Sequence, residues 1–130
     1  MVADLFHYGH VNFLRQASSH GDFLLVGIHA DEAVESYKRS PILSMKERIA
    51  SVEGCKYVDE VVPNAPLEIT REWIGKHNID LIMHGDDVDL EVMDSWYGVP
   101  IEMGIYKSVG YTEGISTTEL IARIRSAELG

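Results

Sequence analysis

The stretch "DFLLVGIHA", residues 22–30, holds six apolar residues or glycine in succession. A strand wetted on one face alternates apolar and polar side chains. An unbroken run such as 23–28 instead suits a strand covered on both faces, as in a parallel sheet. The run is also far short of the roughly 20 apolar residues that a membrane helix needs.

Working outward, upstream "HVNFLRQASSH" (10–20) places Val11, Leu14 and Ala17 at helical spacing. Downstream, "SMKERIASVEG" (44–54) opens with Ser44 and Glu47 at capping-box spacing and stops at Gly54. "YVDEVVP" (57–63) reads as a short strand ended by Pro63, and "TREWIGKHN" (70–78) as a helix capped by Thr70. "IDLIMHG" (79–85) is a second buried strand. "LEVMDSWYG" (90–98) suggests a short helix, "PIEMGIYKSV" (100–109) contains a strand, and "STTELIARIRSAE" (116–128) is a final helix. Its Ser116 and Glu119 again have capping-box spacing.

Strands alternating with helices predict an α/β fold: a Rossmann-like, doubly wound parallel sheet with helices on both faces. Residues 1–130 fit one domain, without repeats, low-complexity tracts or a linker. In such sheets ligands bind outside the carboxyl ends of the strands, where helices begin. One element is missing from the pattern. The first helix should be fed by a strand, yet only three residues precede Asp4, so a first strand is expected upstream of the residues given.

Hydrophobic residues make up 45% of the chain and charged residues 25%, ordinary values for a globular domain. The net charge is −10, which argues against a nucleic-acid partner. The same charge repels anionic substrates at long range, so a phosphate site must be a local cluster of cations and backbone N–H groups. Cys55 is the single cysteine and reads as a small buried hydrophobe; with no signal-peptide pattern, a cytoplasmic setting is expected.

"HYGH", residues 7–10, places His7 and His10 around Gly9 at the start of the first helix. Unpaired N–H groups and the macrodipole favour an anion there, and two imidazoles can donate to phosphate oxygens. Capping or core histidines would be the plainer reading of either one alone. Metal ligation with Asp4 is a rival reading, but His20, His29, His77 and His84 are scattered and complete no ligand set. The second stretch is "YTEGISTTELIARI" (111–124), where Gly114 precedes Ser116, Thr117 and Thr118 at another helix start. Hydroxyls and open N–H groups together make a phosphate cradle.

With these two stretches on view, the sequence resembles the cytidylyltransferases of the HxGH nucleotidyltransferase superfamily. Their signatures H-x-G-H and R-T-E-G-I-S-T-[ST] stand here as "HYGH" and "YTEGISTT". Similarity continues through "LRQA", "MKER", "KYVDEVVPNAP" and "NIDLIMHGDD", in order along nearly the whole chain. The phosphoethanolamine branch is the nearest in motifs, with the glycerol-3-phosphate and phosphocholine enzymes next.

The resemblance implies transfer of CMP from CTP to the phosphate or phosphonate of a small alcohol, with pyrophosphate leaving and Mg2+ carried on the CTP phosphates. His7 and His10 would stabilise charge on the α-phosphoryl group. Lys38, in "ESYKRSP", would neutralise phosphates from a mobile loop. Asp4, just before the signature turn, matches the family's active-site aspartate, Gly9 belongs to the turn, Asp87 falls where cytosine is recognised, and Gly114, Ser116 and Thr117 would hold the triphosphate. Lys56 stands where an arginine often precedes "YVDEV", near the dimer interface of relatives, and a homodimer is implied.

Two positions depart from the pattern. Tyr111 replaces the signature arginine, exchanging a permanent bidentate cation for one neutral hydroxyl, unless Arg39 or Lys107 compensates. Arg39 stands where relatives often carry glycine. The acceptor stays open on sequence grounds. Choline would want an aromatic box, for which Tyr8, Trp73, Trp96, Tyr97 and Tyr106 are candidates, although Trp73 has core spacing. Ethanolamine would want a carboxylate, and a hydroxyalkyl-phosphonate of the fosfomycin type would suit a departing signature. Adenylyl transfer, or a non-catalytic CTP-binding module, are the alternative functions.

Overall fold

The computed structural model describes every residue except 87, 88, 111, 129 and 130, and only the backbone of Leu90. Ten elements follow one another: α1 (Tyr8–Ser18), β1 (Leu25–Ile28), α2 (Asp31–Glu35), α3 (Met45–Glu53), β2 (Glu60–Pro63), α4 (Arg71–Lys76), β3 (Ile82–Gly85), α5 (Leu90–Glu102), β4 (Tyr106–Val109) and α6 (Thr117–Ser126).

Of the apolar run at 23–28 only 25–28 form β1, burial alternates along it between full and partial, and Phe23 is exposed. The described strands pair in parallel, as that run predicts. They do so in two pairs: β1 with β2, starting at Leu25 opposite Glu60, and β3 with β4, starting at Ile82 opposite Tyr106. Beyond β1 the ladder is extended by Met1, whose carbonyl accepts the His29 N–H at 3.0 Å. Each pair has its own core. Leu14, Val26, Ile28 and Val52 pack around β1, with α3 lying on both β1 and β2. Ile69, Ile74, Ile82 and Tyr97 form the second cluster, with Trp73 packed against it. Cys55 is buried in the first cluster, as a small hydrophobe should be.

Local signals explain most helix ends. Ser44 accepts the Glu47 N–H and the Glu47 carboxylate accepts the Ser44 N–H, so the capping box at α3 is complete. Thr70 accepts from Trp73 N–H at the head of α4. One element differs from expectation: α5 does not stop at Gly98 but runs through Pro100 to Glu102. Proline at 100 cannot donate to the carbonyl of Trp96, which would ordinarily cost the helix a hydrogen bond. Here that carbonyl accepts instead from the Ile69 N–H at 2.9 Å. An outside donor thus replaces the missing one.

α1 and α6 start beside each other. Thr117 Oγ1 donates to the Asp4 carbonyl at 2.8 Å, and Asn12 Nδ2 donates to Thr112 Oγ1 at 2.7 Å. These two bonds tie residues 113 and 100 positions apart in sequence, and they bring both helix mouths to one side of the molecule.

Candidate functional site

A cavity of about 1300 Å3 opens where α1 and α6 begin. Its wall includes Asp4, His7, Gly9 and His10 from the first turn, Lys38 and Arg39 from the loop after α2, and Ser116 and Thr117 from α6. With Thr118, which also lines it, nine of the site residues singled out in the sequence therefore meet in one space. The others distribute differently. Gly114 lies in the turn before α6, with φ +81, a conformation that favours glycine. Lys56 lies outside the wall, its ammonium 5.2 Å from the Tyr57 ring, and Lys107 is an exposed residue of β4. Asp87 and Tyr111 lie outside the described residues.

The geometry of the histidine turn settles its hydrogen-bonding sense. His7 is the N-cap of α1, in extended conformation, and its Nδ1 accepts the Gly9 N–H at 3.0 Å. The His10 Nδ1 accepts the His7 N–H at 3.1 Å. A neutral imidazole that accepts at Nδ1 must carry its proton at Nε2. Both rings, 3.9 Å apart between centroids, are thereby set as N–H donors at their far ends. Burial, and after it the neighbouring His7, pushes the His10 pKa down to about 3; burial also lowers that of His7. The pair is therefore neutral at pH 7. Gly9 is required by crowding: a Cβ there would lie 2.8 Å from His7 Cε1 and 3.3 Å from Ile115 Cγ2. The absence of a side chain is what lets the two helix mouths touch.

Ser116 Oγ accepts the Glu119 N–H at 3.0 Å, capping α6. A hydroxyl that accepts can still donate, so the cap and an anion contact are compatible. Asp4 is almost fully buried, and both its oxygens are engaged. Oδ1 accepts from Leu43 N–H and Oδ2 from Ile42 N–H, each at 2.9 Å, while Arg39 Nη1 reaches Oδ2 at 3.2 Å. Burial pushes the Asp4 pKa up, but those amides and the guanidinium outweigh it and hold the carboxyl below its ordinary range. The flanking Ala3 and Leu5 have φ of +58 and +49, strain that persists only where the surroundings hold it.

Sequence reasoning missed several parts of the wall. His29 donates from Nδ1 to the Ala65 carbonyl at 3.0 Å, and His84 pairs with the Gly85 carbonyl at 3.1 Å. Each lies at the carboxyl end of a strand, which was the available signal. Tyr37 meets Trp96 edge to face at 4.9 Å, so one aromatic candidate, Trp96, reaches the cavity. Trp73 and Tyr97 are core residues, and Tyr8 is exposed.

Two histidines, His29 buried and His10 half-buried, make stability depend on pH. His10 and His29 each titrate at about 3 in the folded chain, chiefly through burial, against 6.5 unfolded. Between those values the unfolded chain binds more protons, so unfolding free energy falls as pH drops from 6.5 towards 3. A loss on the order of a few kcal/mol is expected. Urea unfolding at pH 7 and pH 4.5 measures it, and His29→Gln should flatten part of the slope.

Comparison with known proteins then supplies the family. A family model described as "Cytidylyltransferase-like" matches residues 2–123. The chain belongs to the cytidylyltransferase-like family. It is 45% identical over 126 residues to ethanolamine-phosphate cytidylyltransferase of Dictyostelium discoideum, covering 93% of this chain and 35% of that one. It is 44% identical over 123 residues to the Mus musculus protein of the same description, covering 93% and 30%. Choline-phosphate cytidylyltransferase A of Homo sapiens is 39% identical over 127 residues, covering 95% and 34%. The chain thus spans about a third of the length of these relatives. Among solved structures, a lipopolysaccharide core biosynthesis protein from Thermoplasma volcanium GSS1 superimposes with a TM-score of 0.68 at 23% identity, over 86% of this chain and 91% of that one. The expected Rossmann-like α/β fold of a cytidylyltransferase-like protein is therefore the fold observed.

Proposed function

We propose that this chain transfers CMP from CTP to the phosphate of a small alcohol, phosphoethanolamine foremost, and releases pyrophosphate. The observation that carries the reading is the meeting of His7, His10, Lys38 and the α6 mouth in one cavity. The relatives' descriptions point to the same chemistry.

The reaction suits what the wall offers. An acceptor phosphate oxygen attacks the α-phosphorus in line; a new P–O bond forms and the bond to the bridging oxygen breaks, with its electrons leaving on pyrophosphate. The nucleophile is already an anion, so no side chain needs activation and no covalent intermediate is required. Catalysis then rests on alignment, which can supply about 7–11 kcal/mol, and on donors aimed at developing charge. The His7 and His10 Nε2–H groups are such donors, and Lys38 supplies charge from the facing loop.

Magnesium would enter on the CTP phosphates, where it neutralises charge. Among the described residues no group of three or more His, Cys, Asp or Glu is placed to hold a metal ion. A homodimer acting in the cytoplasm completes the proposal. No described helix is long and apolar enough to cross a membrane.

The test is pyrophosphate release with magnesium, CTP or ATP, and four acceptors: phosphoethanolamine, phosphocholine, glycerol 3-phosphate and 2-hydroxyethylphosphonate. CTP with phosphoethanolamine should give the highest kcat/KM. Faster release with ATP would replace the reading with adenylyl transfer, and CTP binding without release would leave a binding module. A preference for the phosphonate would keep the chemistry and change the acceptor.

A further inference from the structure

We infer that Arg39 is an anion-binding residue of this cavity, held by Asp4 so that the open edge of its guanidinium takes phosphate or pyrophosphate oxygens. The inference rests on the transferase reading for its ligand, but its geometry stands separately.

A guanidinium carries five N–H donors. In Arg39 only Nη1 is engaged, with Asp4 Oδ2 and the Ser40 carbonyl, each at 3.2 Å. Nε and Nη2 donate to no protein atom among the described residues. The side chain is 42% exposed, against 4% for Asp4, and lines the same cavity as Lys38, His7 and Ser116. One corner of the fork is therefore fixed on a buried carboxylate, and the remaining donors belong to a half-exposed side chain of the cavity wall, open to an anion.

The arrangement is unlike an ordinary surface pair, where two flexible chains meet in water and gain little. Asp4 cannot move, because the Ile42 and Leu43 amides hold both its oxygens. Left alone, a buried carboxylate at the wall would repel polyphosphate. Covered by Arg39, its charge is cancelled and spent on orientation, much as a carboxylate orients a metal-bound histidine from behind. The rival role, an exposed loop charge that merely covers Asp4, predicts effects on stability and none on anion binding. Asp4 is then a positioning residue. Of the other cations considered as substitutes for the signature arginine, Lys107 does not line the cavity.

The experiment measures inorganic pyrophosphate binding, with magnesium, by calorimetry on the whole chain. The proteins are wild type, Arg39→Gln, Arg39→Lys, Asp4→Asn and the Asp4→Asn/Arg39→Gln double variant, each checked by melting temperature. Arg39→Gln should weaken binding about tenfold to a hundredfold in protein that is still folded at the assay temperature. Uncovering Asp4 should lower its melting temperature by an amount that the two amides keep small. Arg39→Lys should recover only part, because an ammonium is a point charge without the fork. Asp4→Asn should weaken binding less than Arg39→Gln, and the double variant should bind no worse than Arg39→Gln alone, since the two act as a unit. Binding by Arg39→Gln within about twofold of wild type, full additivity in the double variant, or no measurable binding by wild type overturns the inference. Turnover is not needed for this readout. A wild type that binds pyrophosphate through Arg39 but never releases it from CTP sinks the transferase reading alone; an active wild type with an indifferent Arg39→Gln sinks only Arg39.

Discussion

His10→Ala is expected to lower turnover of CTP about 10²–10³-fold, the loss typical of removing one preorganised donor to transition-state charge. The size follows from the ring's situation. His10 is neutral, its Nδ1 is engaged by the His7 N–H, and Phe6 stacks on it at 5.4 Å and 8°. Its Nε2–H therefore has a fixed direction before any substrate arrives, and a fixed donor in a half-buried wall needs no reorganisation as charge develops. The same substitution removes the acceptor for the His7 N–H at the helix cap. About 1 kcal/mol of stability should go with it. Single-turnover kinetics with saturating CTP, beside a urea titration, separates the two effects. A variant destabilised by that amount but turning over at the wild-type rate would show that His10 is only a cap.

How much of this was legible in advance differs by element. The parallel sheet could be read from 23–28 because an apolar run without polar alternation suits a strand covered on both faces. β1 is fully or half-buried along its length, while Phe23 ahead of it is exposed. α3 and α4 could be read from Ser44, Glu47 and Thr70, because their ends are decided by bonds within a few residues. α5 could not. Gly98 and Pro100 are local stop signals, and they are overridden by an Ile69 amide that is distant in sequence. The site divides along the same line. His7, Gly9, His10, Ser116 and Thr117 sit at helix starts, and helix starts have recognisable spellings. Placement of Lys38 and Arg39 beside them depends on two loop amides finding Asp4, which leaves no periodic trace. His29, just after β1, and His84, near the end of β3, each stand alone in sequence, and only the fold shows that both strand ends line one cavity.

Arg48→Ala should be the most destabilising single substitution outside the two hydrophobic clusters. Arg48 sits on α3 between Met45 and Val52, on the stripe that faces the core, and its side chain is completely buried. A charge within an apolar helical stripe was the available signal. The guanidinium donates to the carbonyls of Val2 and His29 at 2.8 and 2.9 Å and to the Asp31 carboxylate at 2.5 Å. It thus ties the first residues, the end of β1 and the start of α2 to a single helix. Alanine would leave two inward-facing carbonyls without donors, remove the partner of Asp31 and open a void. Breaking a buried pair costs about 3–5 kcal/mol, and the partial exposure of Asp31 sets the expectation near the lower end. Against a typical total of about 5–15 kcal/mol, that is a large share. Arg48→Lys should recover little, because one ammonium cannot address three acceptors in two directions. Urea unfolding of both variants tests this. A loss below about 1 kcal/mol for alanine would mean that water replaces the guanidinium without cost, and that the junction of β1 and α2 is held by hydrophobic packing alone.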